Sequence, residues 1–502
     1  MKKLVAFFFV ALLALGLVAC NNEKTEPTYE YGYGIAYGLV HGHYVGVIEV
    51  VTDKDDKVVT AKIDEYYLPY NLGQVTLTDE QKTTLPADVV SVTTSRGTSY
   101  YAKYMSVAGT VFTIEVAGTA PAQSFIYKAP GIDNIENWVK TEANALAYVN
   151  ALKADQVFVS NATGTKVTTY PMANANTKLG ILKSATHYWT WNASASTYYP
   201  LGWGGNMNAI VQSIIGTKMN ATEEQLVKDG TWKIGDVTTG ATLTDFADYY
   251  LLAKVAYNKA VASDAKYGYG IAYGLVHGHY VGKTEMLVDK DDKVVFVKID
   301  EYYMPYNLGQ VTLTDEQKTT LPADVVSVTT SRGTSYYAKY MSVAGTVFTI
   351  EVSGTAPAQS FIYKAAGIDN IENWVKTPAN ALAYVNALEA GNVFVSNATG
   401  TKVTTYPMAN ANAKLGILKS ATHYWTWNST AKAYYPLGWG GNMNQIISGL
   451  IGSMMDATEE QLVKDGTWKI GDVTTGATLT DFADYYLLAQ VAYQNALASK
   501  TE

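Results

Sequence analysis

The stretch YGYGIAYGLVHGHYVG runs from Tyr31 to Gly46 and recurs letter for letter from Tyr267 to Gly282. Its glycines at 32, 34 and 38 lack the Gly-x-Gly-x-x-Gly spacing of a dinucleotide loop, and no strand–helix unit surrounds them. They read as strand glycines that let another backbone come close. The offset of 236 residues then holds onward: Trp138 pairs with Trp374, His187 with His423 and Trp203 with Trp439. A period this long is no solenoid; it reads as tandem duplication of a whole domain. The expected domains are 31–261 and 267–499, joined by a linker at 262–266. The copies are nearly identical, so their agreement is not independent support for any motif.

Working outward, YVGVIEVVT and KVVTAKIDEYY flank the turn-type cluster Asp53-Lys54-Asp55-Asp56 and predict a hairpin. TSYYAKYM, TVFTIEVAG and SFIYKA predict further strands. Helical patterns follow at 134–152, 205–217 and 222–229. The last helix is expected to start near Asp245 and run to 261, with Phe246, Tyr249, Tyr250, Ala253, Tyr257 and Ala260 spaced mostly by three and four. Strands first and helices mostly afterwards predict an α+β fold with an antiparallel-rich sheet and packed helices.

The 502 residues suffice for two or more domains, and 48% apolar residues for real cores. A net charge of −8 and only two arginines, Arg96 and Arg332, argue against a nucleic-acid partner, which needs a basic face. Lys2 and Lys3 precede an apolar run from Leu4 to Ala19, followed by Cys20, the single cysteine. Residues 1–19 read as a signal peptide. Leu17-Val18-Ala19-Cys20 resembles the lipobox of bacterial lipoproteins, which implies cleavage before Cys20 and lipidation of its sulfur. Residues 20–30 then form a tether reaching at most ~35 Å, and no disulfide or cysteine metal site is expected.

Several motifs carry little. His41 and His43 are expected on one strand face, with His187 the third histidine of the domain. No carboxylate or cysteine lies at ligand spacing, so no metal is expected. Asp64-Glu65 and Asp300-Glu301 read as strand-end carboxylates. The 39 tyrosines and 10 tryptophans stand out, with Tyr188, Trp189, Trp191, Tyr199 and Trp203 crowded together. They read either as aromatic packing in a β-rich core or as a stacking platform for a sugar or planar cofactor.

GDVTTGATLTDFADYY occurs at 235–250 and again at 471–486. On physical grounds, Thr242-x-x-Asp245 fits a capping box, with Thr242 as N-cap of the last helix and Asp245 reaching back. The same letters, Asp236-Val-Thr-Thr239-Gly240-Ala241-Thr242, resemble the flavinylation motif of the FMN-binding domain family. That family includes the C subunit of sodium-translocating NADH:quinone oxidoreductase, the G subunit of the Rnf complex and secreted flavoproteins. The motif's common glycine is Val237 and Val473 here, and Tyr67-Leu68-Pro69 stands where the family has Thr-Pro. Residues 80–160 match no part of the family pattern.

The resemblance implies that a separate flavin transferase joins FMN through its phosphate to Thr242 and Thr478. Asp236, Thr239, Gly240 and Ala241, and Asp472, Thr475, Gly476 and Ala477, would complete the two motifs. Small neighbours leave the hydroxyl accessible, and the phosphodiester would lie at a helix N-terminus, where the dipole favours negative charge. The two-domain lipoprotein layout resembles the flavinylated lipoproteins of Gram-positive extracellular electron transfer. It implies an electron carrier rather than an enzyme with its own substrate, lipid-anchored on the extracellular face of the membrane. Electrons would pass from a membrane quinol-linked donor to free flavin, metal oxides or a partner reductase. A carbohydrate-binding surface lipoprotein, a structural or adhesive surface protein, and a terminal reductase of one specific small acceptor are the alternatives.

Overall fold

The computed structural model describes residues 30–171, 173, 182–185, 201–407, 409, 418–421 and 437–500. The fold is α+β, and every strand pairing among the described residues is antiparallel. In the first unit β1 (Gly32–Val40), β2 (Tyr44–Thr52) and β3 (Val58–Tyr67) form a meander. Short helices α1 (Pro69–Leu72) and α2 (Asp79–Thr83) lead to the hairpin β4 (Val89–Thr94) and β5 (Gly97–Ala102). Next come β6 (Tyr104–Val107), β7 (Thr110–Ala117) and β8 (Ser124–Lys128), then α3 (Ile135–Trp138), α4 (Glu142–Lys153) and β9 (Val157–Ser160). β9 returns to pair with β6, giving the order β8-β7-β6-β9. The stretch 80–160 therefore holds a two-stranded hairpin and a four-stranded sheet, with α3 and α4 between β8 and β9.

After α5 (Gly202–Ile214) the chain forms a small sheet of β10 (Leu226–Asp229), β11 (Thr231–Ile234) and β12 (Val237–Thr238), and ends in α6 (Phe246–Ala262). The expected helix at 222–229 is thus corrected. A 3-10 turn at Glu223–Gln225 gives way to β10, and Gly230, at φ +69°, lets β10 fold back on β11. The single helix expected over 134–152 is two, interrupted at Val139-Lys140-Thr141. The second half repeats these elements at the same offset, from Gly268–Val276 to the final helix Phe482–Ala498.

The glycine-rich stretch determines how α6 sits. Gly32, Gly34, Ala36, Gly38 and Val40 form the buried face of β1, and α6 lies directly on it. A Cβ at Gly34 would overlap the carbonyl oxygen of Ala256, and one at Gly32 that of Ala260. Phe246, Tyr249, Tyr250, Ala253, Ala256, Tyr257 and Ala260 are the buried side of the helix. The core gathers around this contact, with Val40, Val45, Ile48 and Ala61 fully buried.

The two units touch. Tyr267 donates its N–H to the Tyr31 carbonyl at 2.9 Å, and the sheet faces turned away from the α6 helices meet through Val51, Leu287 and Phe296. The start of α5 packs on the turn 419–421 of the other unit: a Cβ at Gly204 would overlap the Ser420 carbonyl oxygen. Gly440 stands likewise against Ser184. Among the described residues no helix is long and apolar enough to cross a membrane.

Candidate functional site

Thr242 lies on the loop between β12 and α6, and the local sequence explains how the loop is held. Gly235-Asp236 is the two-residue turn joining β11 to β12, with Ile234 opposite Val237 and Gly235 at φ +58°. The chain then folds back along β11. The Trp232 amide donates to the Ala241 carbonyl at 2.9 Å, and the Thr239 hydroxyl donates to the Trp232 carbonyl at 2.8 Å. Gly240, at φ +78°, makes the bend that no β-branched residue would favour. Ala241 is fully buried, and Trp232 stacks on Phe246 with centroids 5.0 Å apart.

One side chain holds the threonine segment. Asn206 of α5 is fully buried, and its Oδ1 accepts from the Thr242 amide at 2.6 Å and the Leu243 amide at 3.1 Å. The Thr242 hydroxyl sits 3.4 Å from the same oxygen, and Asn206 Nδ2 donates to the Gly202 carbonyl at 2.6 Å. Lys228 Nζ donates to the Thr242 carbonyl at 3.0 Å. The second unit repeats the arrangement, with Asn442 on Thr478 and Leu479 and Lys464 on the Thr478 carbonyl. Sequence reading passed over Asn206 and Asn442. Their one signal is a polar residue on the apolar side of a helix, where burial demands a partner.

Two expectations about this loop are corrected. Thr242 is not an N-cap: α6 begins at Phe246, Asp245 holds the N-cap position, and the Asp245 side chain accepts from Thr244 Oγ1 instead. The threonine therefore sits beside Lys228 and Asn206 and not on the first turn of the helix. Asp236 is exposed in the β11–β12 turn, and Asp472 likewise in the second unit. Thr239, Gly240, Ala241 and Thr242 are contiguous in one bend, as are Thr475, Gly476, Ala477 and Thr478.

The two bends differ in their cover. Nothing lies within 4 Å of a Cβ placed on Gly240, whereas Gln445 Oε1 is 2.7 Å from one placed on Gly476. The first unit has Ala209 where the second has Gln445. Thr475 is 5% exposed, whereas Thr239 is half-buried.

The histidines do not share a strand face. His41 to His43 form the turn between β1 and β2, with His41 at φ +49°. His41 Nε2 lies 3.5 Å from Asp245, its amide donates to Asp248, and burial and Lys183 hold its pKa below the usual value. His43 meets Glu136 at 2.5 Å. Nor do Asp64 and Glu65 end a strand. Both lie inside β3 and are buried, side by side on opposite faces. Glu65 accepts from Lys183 and Tyr249, tying the 183–185 turn and α6 to the sheet. Lys183 Nζ lies 4.1 Å from the Tyr44 ring centroid and 5.4 Å from that of Trp203. Asp64 accepts from the Ser184 hydroxyl and amide, and burial raises its pKa to about 6.

Asp64, Lys183, Trp203 and their second-unit counterparts line a cavity of about 230 Å³ between the units; Thr242 and Thr478 are not part of its wall. Among the described residues no three His, Cys, Asp or Glu side chains gather as a metal site would require. Cys20, His187, Tyr188, Trp189, Trp191 and Tyr199 lie outside the described residues.

Thr242 is half-buried, its backbone is fixed by Asn206, a lysine ammonium holds its carbonyl, and the space over Gly240 is open. No family model, curated protein or solved structure matches the chain.

Proposed function

We propose that this chain is a lipid-anchored extracellular electron carrier with FMN joined through its phosphate to Thr242 and Thr478. The observation that carries the reading is the pair of identical Asp-Val-Thr-Thr-Gly-Ala-Thr segments, each ending in a half-buried threonine pinned by a buried asparagine. Bound flavin supplies one- and two-electron redox chemistry. The chain's own residues do the positioning. Asn206 fixes the Thr242 backbone so that the hydroxyl is presented at a constant place, and Lys228 offsets the negative charge of a phosphodiester there. Gly240 and Ala241 leave room for a transferase to reach the hydroxyl. Outside the cell a covalent link keeps a cofactor that would otherwise be diluted away.

In this reading a flavin transferase loads the protein, a membrane quinol-linked donor reduces it, and free flavin, metal oxides or a reductase accept the electrons. The lipid on Cys20 holds the first unit near the membrane. The test is visible absorbance. Protein co-expressed with a flavin transferase, unfolded in denaturant and washed on a filter, is expected to retain about two flavins per chain. Colourless washed protein would overturn the reading.

A further inference from the structure

The two halves are not uniformly alike. Residues 69–116 match 305–352 at every position, and 221–253 match 457–489. Between 44 and 67, in β2 and β3, seven of 24 positions differ. A second group of differences, at 209–220, includes the end of α5 and the segment after it. There Gly216 hydrogen-bonds to Val58 of the same unit, so this group repacks within its unit.

The β2–β3 differences include residues at the place where the units meet. Val51, Leu287 and Phe296, each fully buried, form one cluster with Tyr31 and Tyr33 from the first unit and Tyr267 and Tyr269 from the second. Phe296 packs on Tyr33 with centroids 6.2 Å apart, and Lys298 reaches across to donate to the Ala61 carbonyl at 3.0 Å. The equivalent positions are unequal in size. Val51 answers to Leu287, and Thr60 to Phe296. Two first-unit faces together would carry two valines and two threonines and leave voids. Two second-unit faces would carry two leucines and two phenylalanines and overfill the same space. Buried interfaces lose stability both ways, and mismatch against the wrong partner is what confers specificity.

We propose that these faces are a size-matched, non-interchangeable pair: the first unit's β2–β3 face takes the second unit's face within one chain, and not a copy of itself on another molecule. The proposal goes beyond the flavin reading and stands without it. It makes the chain a closed unit in which the two threonine sites hold a fixed relation.

The test keeps the whole chain and cuts it in place. A protease site inserted after Asp264 is cleaved in the folded protein, and native mass spectrometry counts the pairs. Cut parent protein mixed with an isotope-labelled batch is expected to show first-with-second pairs and no pairs of like halves. Val51→Leu with Thr60→Phe, and separately Leu287→Val with Phe296→Thr, should each raise the fraction of separated halves about tenfold or more. The chain carrying all four changes exchanges the two unequal pairs of side chains, with Val47 and Lys283 left in place, and should hold together as the parent does. If a two-change chain fails to fold, the four-change chain decides. Like-with-like pairs in the parent mixture, two-change chains that hold as tightly as the parent, or a four-change chain that separates, would each overturn the proposal.

Discussion

Asn206 Oδ1 accepts hydrogen bonds from both Thr242 and Leu243, so one buried amide on α5 sets the backbone of the threonine that the motif singles out. Its own Nδ2 is anchored to the Gly202 carbonyl, which leaves the side chain no freedom to follow the loop. Removing it strands two amides. Asn206→Ala is expected to destabilise the first unit by about 1–3 kcal/mol, read in a denaturant melt. It should also lower FMN loading at Thr242 severalfold while Thr478 loads normally, read by peptide mapping. Unchanged loading at Thr242 would mean that the asparagine serves packing alone.

Gln445 over Gly476, against open space over Gly240, makes the two threonine sites unequal although their motifs are identical. A transferase must approach the bend, so Thr242 should be loaded first in a time course. Gln445→Ala should bring Thr478 level with it, and Ala209→Gln should slow Thr242. Equal loading rates in the parent would show that the cover has no effect on access.

Much of this was legible beforehand, for local reasons. The spacing of Phe246, Tyr249, Tyr250, Ala253, Tyr257 and Ala260 marks a helix face, and all six are buried. The β2–β3 hairpin announces itself through Asp53 to Asp56. What escaped is non-local. Asn206 stands 36 residues from Thr242, and Glu65 is 118 from Lys183. The 80–160 region forms its sheet only when β9 returns past α4 to β6. The capping box at Thr242 failed for a different reason. Its letters are right, but Asn206 takes up the Thr242 and Leu243 amides and the helix starts later. At 222–229 the helical pattern spans too few residues to prevail, and pairing with β11 decides it.

The close seat of α6 on β1 leads to a graded prediction. Gly34→Ala would drive a methyl group into the Ala256 carbonyl, backbone that cannot move aside. At Gly38 the nearest atom is Leu252 Cδ1, 3.0 Å away at the end of a flexible side chain. Gly34→Ala should therefore cost about 2–3 kcal/mol and Gly38→Ala about 1 kcal/mol or less. Urea melts of both variants check the order; a Gly38→Ala loss as large as that of Gly34→Ala would contradict the packing described.

Asp64 gives a pH prediction whose sign can be worked out. Burial lifts its folded pKa from 3.8 to about 6, against the hydrogen bonds from Ser184, and Asp300 is raised for the same reason. Between those two values the folded chain holds a proton that the unfolded chain has released. Its favourable contribution is present in acid and lost as pH rises through about 6, leaving a deficit on the order of 1–3 kcal/mol at neutral pH. His41, lowered by burial, works in the opposite sense. Asp64→Asn, which keeps an acceptor for Ser184, should raise stability more at about pH 7.5 than at about pH 5. Equal gains at both would show that the carboxyl does not titrate in this window.

The central claim is tested most directly by intact mass. Protein co-expressed with a flavin transferase and analysed under denaturing conditions should carry two FMN adducts. Thr242→Ala should carry one, as should Thr478→Ala, and the double variant none. Two adducts surviving in the double variant, or an unmodified parent, would contradict the assignment of these threonines.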